Sequence, residues 1–177
     1  MGAGFRTTLT TAAIFPADHA ARAAVLLDRC RAVGLKIATA ESCTGGLVAG
    51  LLTEIPGSSA VVERGFVVYS NEAKQDLLAV PAVTLAEHGA VSEAVARAMA
   101  EGALKASRAD LAVSVTGVAG PDGGTAARPV GLVWFACARR GVPTIGREER
   151  LGEIGRGNVR LASVNVALEM LERAASL

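Results

Sequence analysis

The sequence predicts a single-domain α/β sandwich with a mostly parallel or mixed sheet. Three observations support this fold class. Short apolar segments typical of buried strands alternate with segments of helical periodicity. A chain of 177 residues is long enough to bury one core, and neither an internal repeat nor a linker divides it. Because 51% of the residues are hydrophobic but only 3% are aromatic, we expect a core of closely packed alanine, valine and leucine.

Local patterns place the elements in order along the chain. Residues 1–17 are interpreted as a flexible leader and residues 18–177 as the folded domain. The predicted elements are a helix over 20–33, a strand over 35–40, a helix over about 44–54, a strand over 60–69, helices over 71–78 and 92–107, strands over 111–115, 130–138 and 144–150, and a helix over 159–174.

Four local signals refine these boundaries. Asp18 is a candidate cap for the first helix, and Gly34 is a candidate end. The spacing of Thr84 and Glu87 is that of a capping box. A polar pair and a glycine interrupt the second strand at 63–65, which is typical of a β-bulge or a bend.

Composition excludes several function classes. The formal net charge is +1 and the basic residues are scattered, which argues against binding nucleic acid. No apolar run approaches the roughly 20 residues that cross a bilayer. Cys30, Cys43 and Cys137 are odd in number and show no CxxC spacing, so we expect neither a disulfide framework nor a metal site. This cysteine usage favours a cytoplasmic protein.

The most informative segment is the turn at 41–46, Glu-Ser-Cys-Thr-Gly-Gly, between a predicted buried strand and a predicted helix. Such a turn directs backbone N–H groups and the positive end of a helix dipole towards one point, which suits an anion or an oxyanion. Further polar segments follow strands at 69–74 and 116–124. Ligands bind beyond the carboxyl ends of strands in open α/β sheets, so we expect these three segments to form one pocket.

Two side chains in the turn are candidate nucleophiles. Ser42 needs a base, and neither His19 nor His88 follows a predicted strand. Lys74 is an alternative base if burial lowers its pKa. The competing interpretation makes Ser42 a helix cap and Lys74 a solvated lysine. Cys43 is the rival nucleophile, although a free cysteine is more often a small buried filler.

Other polar groups carry weaker signals. The glycine-rich loop at 116–124 lacks the lysine of a P-loop, which disfavours nucleoside triphosphate hydrolysis. Glu41 is most simply an anchor for the turn that follows it. Arg156 and Arg160 lie four residues apart, a spacing that fits either a solvated helix face or a phosphate clamp.

Five motifs occur in order along the chain: ATAESCTGG at 38–46, GFVVYSNEAK at 65–74, GAVS at 89–92, VTGVAGP at 115–121 and PVGLVW at 129–134. Taken together, they closely resemble the CinA C-terminal domain family, which includes stand-alone nicotinamide-nucleotide amidohydrolases. The resemblance covers roughly residues 20–175, and 177 residues leave no room for the N-terminal MoCF-like domain of full-length CinA, so we expect the stand-alone form.

The resemblance implies a three-layer α/β/α fold, a homodimer, and hydrolysis of nicotinamide mononucleotide to nicotinate mononucleotide and ammonia without a metal or organic cofactor. It favours Ser42 as nucleophile, Lys74 as base and Tyr69 as a residue that orients Lys74. Other implied substrate-binding positions are Thr44, Gly45, Gly46, Asn71, Thr116, Gly117, Gly120 and Arg156, with backbone N–H groups of 44–46 stabilising the oxyanion. The alternative is a non-catalytic nucleotide-binding or regulatory module linked to competence and DNA damage.

Overall fold

Five strands and six α-helices make up the part of the chain described by the computed structural model, residues 13–176. The elements are, in order, α1 (Ala17–Ala32), β1 (Ile37–Glu41), α2 (Leu47–Glu54), β2 (Val62–Val67), α3 (Asn71–Leu78), α4 (Ala82–His88), α5 (Glu93–Lys105), β3 (Leu111–Gly117), β4 (Leu132–Arg139), β5 (Val142–Arg150) and α6 (Arg156–Ala175); a single 3₁₀ turn (Ser58–Ala60) precedes β2. Within these residues, no helix has the length and apolar character that crossing a membrane requires.

The sheet is mixed, with the strand order β2-β1-β3-β4-β5. The strand β1 lies parallel to both β2 and β3. The strands β4 and β5 continue the sheet in antiparallel pairing. The carboxyl ends of β1, β2 and β3 therefore meet at one edge, where the chain places its polar turns.

Helices cover both faces of the sheet, which confirms the predicted three-layer α/β/α fold. One core contains Leu27 of α1 and Leu168 of α6, together with residues of α2. The other contains Leu78 of α3 and Met99 of α5, and its sheet side is lined largely by alanines such as Ala40. Small residues on this face let α5 approach the strands closely, as the composition predicted.

The predicted bulge lies in β2. The register between β1 and β2 shifts by one residue, because Val62 pairs with Ile37 whereas Arg64 pairs with Ala38. Glu63 is thus the extra residue of the bulge. Gly65 comes next, and a Cβ atom there would lie 3.0 Å from Thr39 Oγ1, so the bulged strand passes close to its neighbour.

Two predicted helix caps are wrong, and for the same reason. The helix α1 has Pro16 as its N-cap rather than Asp18, and α4 has Pro81 rather than Thr84; neither start has a side-chain cap. Proline holds φ near −65°, which suits the extended backbone before a helix, and the ring has no N–H that needs a partner. Asp18 still lies in the first turn of α1, where its charge complements the helix dipole.

Several other element bounds also differ from the predictions by a few residues. The helix α2 begins at Leu47 rather than near 44, because Gly45 and Gly46 have φ values of 59° and 93°. The helix α6 begins at Arg156, three residues before the predicted start. Phe15, which the sequence analysis assigned to the leader, is buried in the core. Of that predicted leader, residues 1–12 lie outside the described residues, and Ala17 is the first residue of α1.

Candidate active site

The turn after β1 carries the serine at the sheet edge. The N–H of Ser42 donates to the carbonyl of Val115 at 2.9 Å, which ties the residue to β3 beyond the last pair of the parallel ladder. Ser42 is 9% exposed. Its side chain therefore lies at the carboxyl ends of β1 and β3, where the topology predicted a pocket.

The side chain of Glu41 binds the backbone at the start of α2. Its carboxylate is fully buried and accepts hydrogen bonds from the N–H groups of Gly46, Val48 and Ala49 at 3.0, 3.0 and 2.9 Å. The hydroxyl of Thr39 donates to it at 3.1 Å. A helix leaves its first N–H groups without internal partners, and this carboxylate supplies an acceptor for them. The prediction that Glu41 anchors the turn is confirmed.

Lys74 reaches the serine from α3. The hydroxyl of Ser70 caps this helix by accepting from the N–H of Ala73, and Lys74 lies in its first turns. The Nζ atom donates to the Ser42 hydroxyl oxygen at 3.2 Å and to the carbonyls of Val68 and Tyr69 at 2.8 and 3.2 Å. The competing interpretation of a solvated lysine is therefore wrong.

The environment of Lys74 favours the neutral amine. The side chain is only 1% exposed, and burial lowers the pKa of its amino group below the ordinary value of 10.5. Among residues 13–176, no carboxylate oxygen lies within 4.0 Å of this amine. A neutral amine that contacts a hydroxyl is a base able to accept its proton.

The same burial shifts the pKa of Cys43 in the opposite direction, because it disfavours the charged form of each group. Burial raises the pKa of its thiol to about 12, so the thiol holds its proton at neutral pH. Cys43 nevertheless lines the same cavity as the serine. The two small side chains of the turn thus differ in chemistry, because only the hydroxyl contacts a buried base.

A cavity of about 270 Å³ opens in front of the serine and joins the three strand-end segments. Of the residues proposed from the sequence, those that line it are Ser42, Tyr69, Lys74, Thr116, Gly117, Gly120 and Arg156. The remaining four, Thr44, Gly45, Gly46 and Asn71, do not line it. A larger groove of about 630 Å³ between α1 and α6 contains none of these residues, so the chemistry points to the smaller cavity.

The predicted oxyanion donors at 45 and 46 are already engaged. The N–H of Gly45 donates to the carbonyl of Ser42 at 3.1 Å, and the N–H of Gly46 donates to Glu41. Among the described residues, the N–H groups of Cys43 and Thr44 donate to no other residue. Thr44 is fully buried and does not line the cavity, so any backbone donation from this turn to a ligand comes from the N–H of Cys43.

Tyr69 contacts the lysine through its main chain. Its carbonyl accepts from Lys74, whereas its side chain is 64% exposed beside the cavity. Tyr69 therefore contacts the amine through a carbonyl that any residue at 69 would supply. Asn71 opens α3, and its carbonyl accepts from the side chain of Gln75.

The wall opposite the serine is built by β3 and the loop after it. The hydroxyl of Thr116 donates to the carbonyl of Ala90 at 2.8 Å, which joins the end of β3 to the segment between α4 and α5. Gly117 lies so close to β4 that a Cβ atom would be 2.7 Å from the carbonyl oxygen of Leu132. Gly120, with φ of 76°, presents its carbonyl to the guanidinium of Arg156 at 2.9 Å.

Arg156 and Arg160 do not form one clamp. Arg156 lines the cavity, whereas Arg160 donates to the carbonyls of Cys43 and Thr44 and is absent from the cavity lining. The cavity also has lining residues that motif chemistry did not single out: Ala90, Val91, Val118, Ala119, Asp122 and Gly123. Their only sequence signal is membership of the GAVS and VTGVAGP segments and of the adjoining glycine-rich loop, because most of them carry no reactive group.

The fold and this site together define an α/β/α protein with a buried serine–lysine pair at the ends of parallel strands. The model of the CinA C-terminal domain matches residues 19–175, and the chain belongs to that family. It is 56% identical over 142 residues to the nicotinamide-nucleotide amidohydrolase PncC of Escherichia coli K12; the match covers 80% of this chain and 85% of that protein.

Longer relatives and a solved structure also match. The chain is 51% identical over 152 residues to a CinA-like protein of Citrifermentans bemidjiense, covering 86% of this chain and 36% of that protein. A Symbiobacterium thermophilum relative is 64% identical over 108 residues, and the match spans 25% of its length. The crystal structure of the competence/damage inducible protein CihA from Agrobacterium tumefaciens superposes with a TM-score of 0.91 at 52% identity, over 94% of this chain and 100% of that chain.

Proposed function

We propose that this protein hydrolyses the carboxamide of nicotinamide mononucleotide to nicotinate mononucleotide and ammonia. The observation that carries the proposal is the contact between the buried Lys74 amine and the Ser42 hydroxyl, at 3.2 Å inside a cavity. The similarity to the amidohydrolase PncC, over most of both chains, supplies the substrate. The alternative of a non-catalytic binding module is less favoured, because such a module has no need of a buried base against a hydroxyl.

In the proposed mechanism, the Oγ atom of Ser42 attacks the carboxamide carbon while the neutral Nζ atom of Lys74 accepts the hydroxyl proton. The resulting ammonium then gives that proton to the leaving nitrogen, and the C–N bond breaks to release ammonia. Water hydrolyses the acyl-serine with Lys74 again as base. The Val68 and Tyr69 carbonyls hold the amine beside the hydroxyl throughout.

A backbone N–H group stabilises the tetrahedral oxyanion in this proposal. The N–H of Cys43 immediately follows the nucleophile at the cavity wall and donates to no other residue of the described chain. One such donor contributes about 2.7–4 kcal/mol to transition-state stabilisation in other acyl-transfer enzymes. We assign the donor to Cys43 in place of 44–46.

We further propose that Arg156 binds the substrate phosphate. Its NH1 atom is held by the carbonyl of Gly120 at 2.9 Å, and the guanidinium lines the cavity mouth with donors to spare. Among the remaining positions, Thr116 and Gly117 shape the cavity wall beside the ribose. Asn71 and Thr44 do not line the cavity and make no side-chain contact with the substrate in this proposal. Replacing Arg156 with Gln is expected to raise KM far more than it lowers kcat.

The resemblance also implies a homodimer, which we propose for this chain. The support in the structure is β2, an edge strand that leaves Val67 52% exposed and is followed by the exposed ring of Tyr69. Apolar side chains on an edge strand favour contact with another chain. Light scattering after size-exclusion chromatography measures the mass directly, and a monomer would contradict the proposal.

The test of function is ammonia release from nicotinamide mononucleotide by the purified protein. Ser42→Ala is expected to abolish release, and Ser59→Ala, an exposed serine remote from the cavity, is the matched control. Loss of activity in Cys43→Ala with retention in Ser42→Ala would make the thiol the nucleophile. An inactive wild type that still binds the nucleotide would favour the binding module.

A further inference from the structure

Arg160 has an arrangement that the proposed mechanism does not yet use. It lies on α6, one turn after Arg156, and its Nε and NH2 atoms donate to the carbonyls of Cys43 and Thr44 at 3.2 and 2.8 Å. The guanidinium lies against Gly45, where a Cβ atom would be 3.4 Å from NH2. A residue 116 positions away in sequence thus braces the turn that carries the nucleophile.

The charge of Arg160 is not neutralised by a neighbour. Within residues 13–176, no carboxylate oxygen lies within 4.0 Å of this guanidinium. Its positive charge acts at the cavity, because it lowers the pKa of the Cys43 thiol against the larger effect of burial.

Through the geometry of the peptide group, the contacts of Arg160 with carbonyls also fix the directions of N–H groups in the turn. In a trans peptide the C=O and N–H bonds point in opposite directions, so the partner of a carbonyl fixes the direction of the N–H that follows it. The carbonyl of Ser42 is held by Gly45, which orients the N–H of Cys43. The carbonyl of Thr44 is held by Arg160, which orients the N–H of Gly45 that makes this bond. The N–H of Cys43, which lines the cavity, is thus held through successive peptide groups that end at Arg160.

We propose that Arg160 is a positioning residue that fixes the oxyanion-binding N–H of Cys43, the residue after Ser42. The inference deepens the proposed function and rests on its nucleophile, but not on its substrate. Arg160 acts through the peptide groups and touches no substrate. Its contribution is to keep this donor aimed where negative charge develops, and to add a positive charge behind it.

The test uses a fluorophosphonate, which reacts with an activated serine whatever the natural substrate. The Ser42 Oγ–phosphorus bond forms, the phosphorus–fluorine bond breaks, fluoride leaves, and Lys74 takes the hydroxyl proton. The phosphoryl oxygen needs the same donor as the carboxamide oxyanion. Mass spectrometry of the peptide containing Ser42 gives the second-order rate of labelling.

Arg160→Met is expected to lower this rate by about a hundredfold, the range seen when one oxyanion donor is lost. Arg160→Lys, which keeps the charge but not the two-pronged donor, is expected to fall between wild type and Arg160→Met. Arg173→Gln, on the last turn of the same helix, is the matched control and should label like wild type. Steady-state kinetics should show a lower kcat with an unchanged KM.

Labelling of a folded Arg160→Met at a rate within twofold of wild type overturns the inference, as does a change in KM alone. Should Arg160→Met fail to fold, Arg160→Lys provides the same comparison, and wild-type labelling by this variant has the same meaning. A wild type that labels at Ser42 but releases no ammonia refutes the proposed substrate. The role of Arg160 is then still decided by the labelling rates of its variants. A wild type that does neither overturns both proposals.

Discussion

Replacing Glu41 is predicted to destabilise the protein more than any change to an exposed acid, because this carboxylate is the acceptor for three backbone N–H groups at the start of α2. In Glu41→Leu all three donors lose their acceptor in a buried or partly buried place. Each orphaned donor costs about 1–3 kcal/mol, so the expected loss is about 3–9 kcal/mol. A domain of this size has a free energy of unfolding of only about 5–15 kcal/mol.

Glu41→Gln should cost less, and the structure shows why. The amide oxygen can keep the Gly46 and Val48 N–H groups, which share one carboxylate oxygen, while the amide nitrogen then faces the N–H of Ala49. One donor is orphaned and two bonds lose their ionic character, for an expected loss of about 2–4 kcal/mol. The order of stability is therefore wild type, Gln, Leu.

Urea unfolding followed by circular dichroism measures these differences. Glu54→Gln, an exposed acid at the end of the same helix, is the control and should stay within about 0.5 kcal/mol of wild type. A loss below about 1 kcal/mol in Glu41→Leu, or equal losses in the two Glu41 variants, would refute the reasoning that hydrogen bonds to backbone donors are what the carboxylate provides.

Three further predictions concern other parts of the fold. Because burial lowers the Lys74 pKa, kcat/KM should rise with pH to a plateau, with an apparent pKa below 10.5. The stability of the wild type relative to Lys74→Met should also increase between that pKa and 10.5, because in this range only the unfolded lysine stays protonated. Gly102→Ala should destabilise by more than 2 kcal/mol despite the roughly 1 kcal/mol gain in helix propensity, since the new Cβ would lie 2.1 Å from the Leu78 carbonyl oxygen. Phe15→Ala should cost about 3–5 kcal/mol, because the ring is buried in the core against Gly50.

Each of these has a contradicting result. A kcat/KM that is flat across the alkaline range, or a stability difference that shrinks as pH rises, would show that Lys74 does not lose its proton early. If thermal or urea unfolding showed Gly102→Ala to be as stable as wild type, α3 would be able to move away from α5 at no cost in the free energy of unfolding. A Phe15→Ala protein as stable as wild type would contradict the assignment of Phe15 to the core and favour its assignment to the leader.

Local sequence patterns were reliable where the physical cause is itself local. Alternation of apolar strands and amphipathic helices predicted the mixed α/β sheet, because burial of each element depends mainly on its own periodicity. The bulge in β2 was visible as a polar pair with a glycine. The failures at Asp18 and Thr84 are local too, since a preceding proline settled both helix starts without a side-chain cap.

What the sequence by itself determined is the fold class, the strand-end turns and the chemical types gathered there, because hydrophobic period and turn composition are properties of neighbouring residues. Only the tertiary structure decided which of those groups meet. Packing of α3 against the sheet edge buries Lys74 and places its amine 3.2 Å from Ser42. Packing of α6 gives Arg156 and Arg160 different partners, Gly120 for the first and the turn after Ser42 for the second. Distances between residues remote in sequence, and the burial that shifts a pKa, arise from the assembly of all the layers and from no single segment.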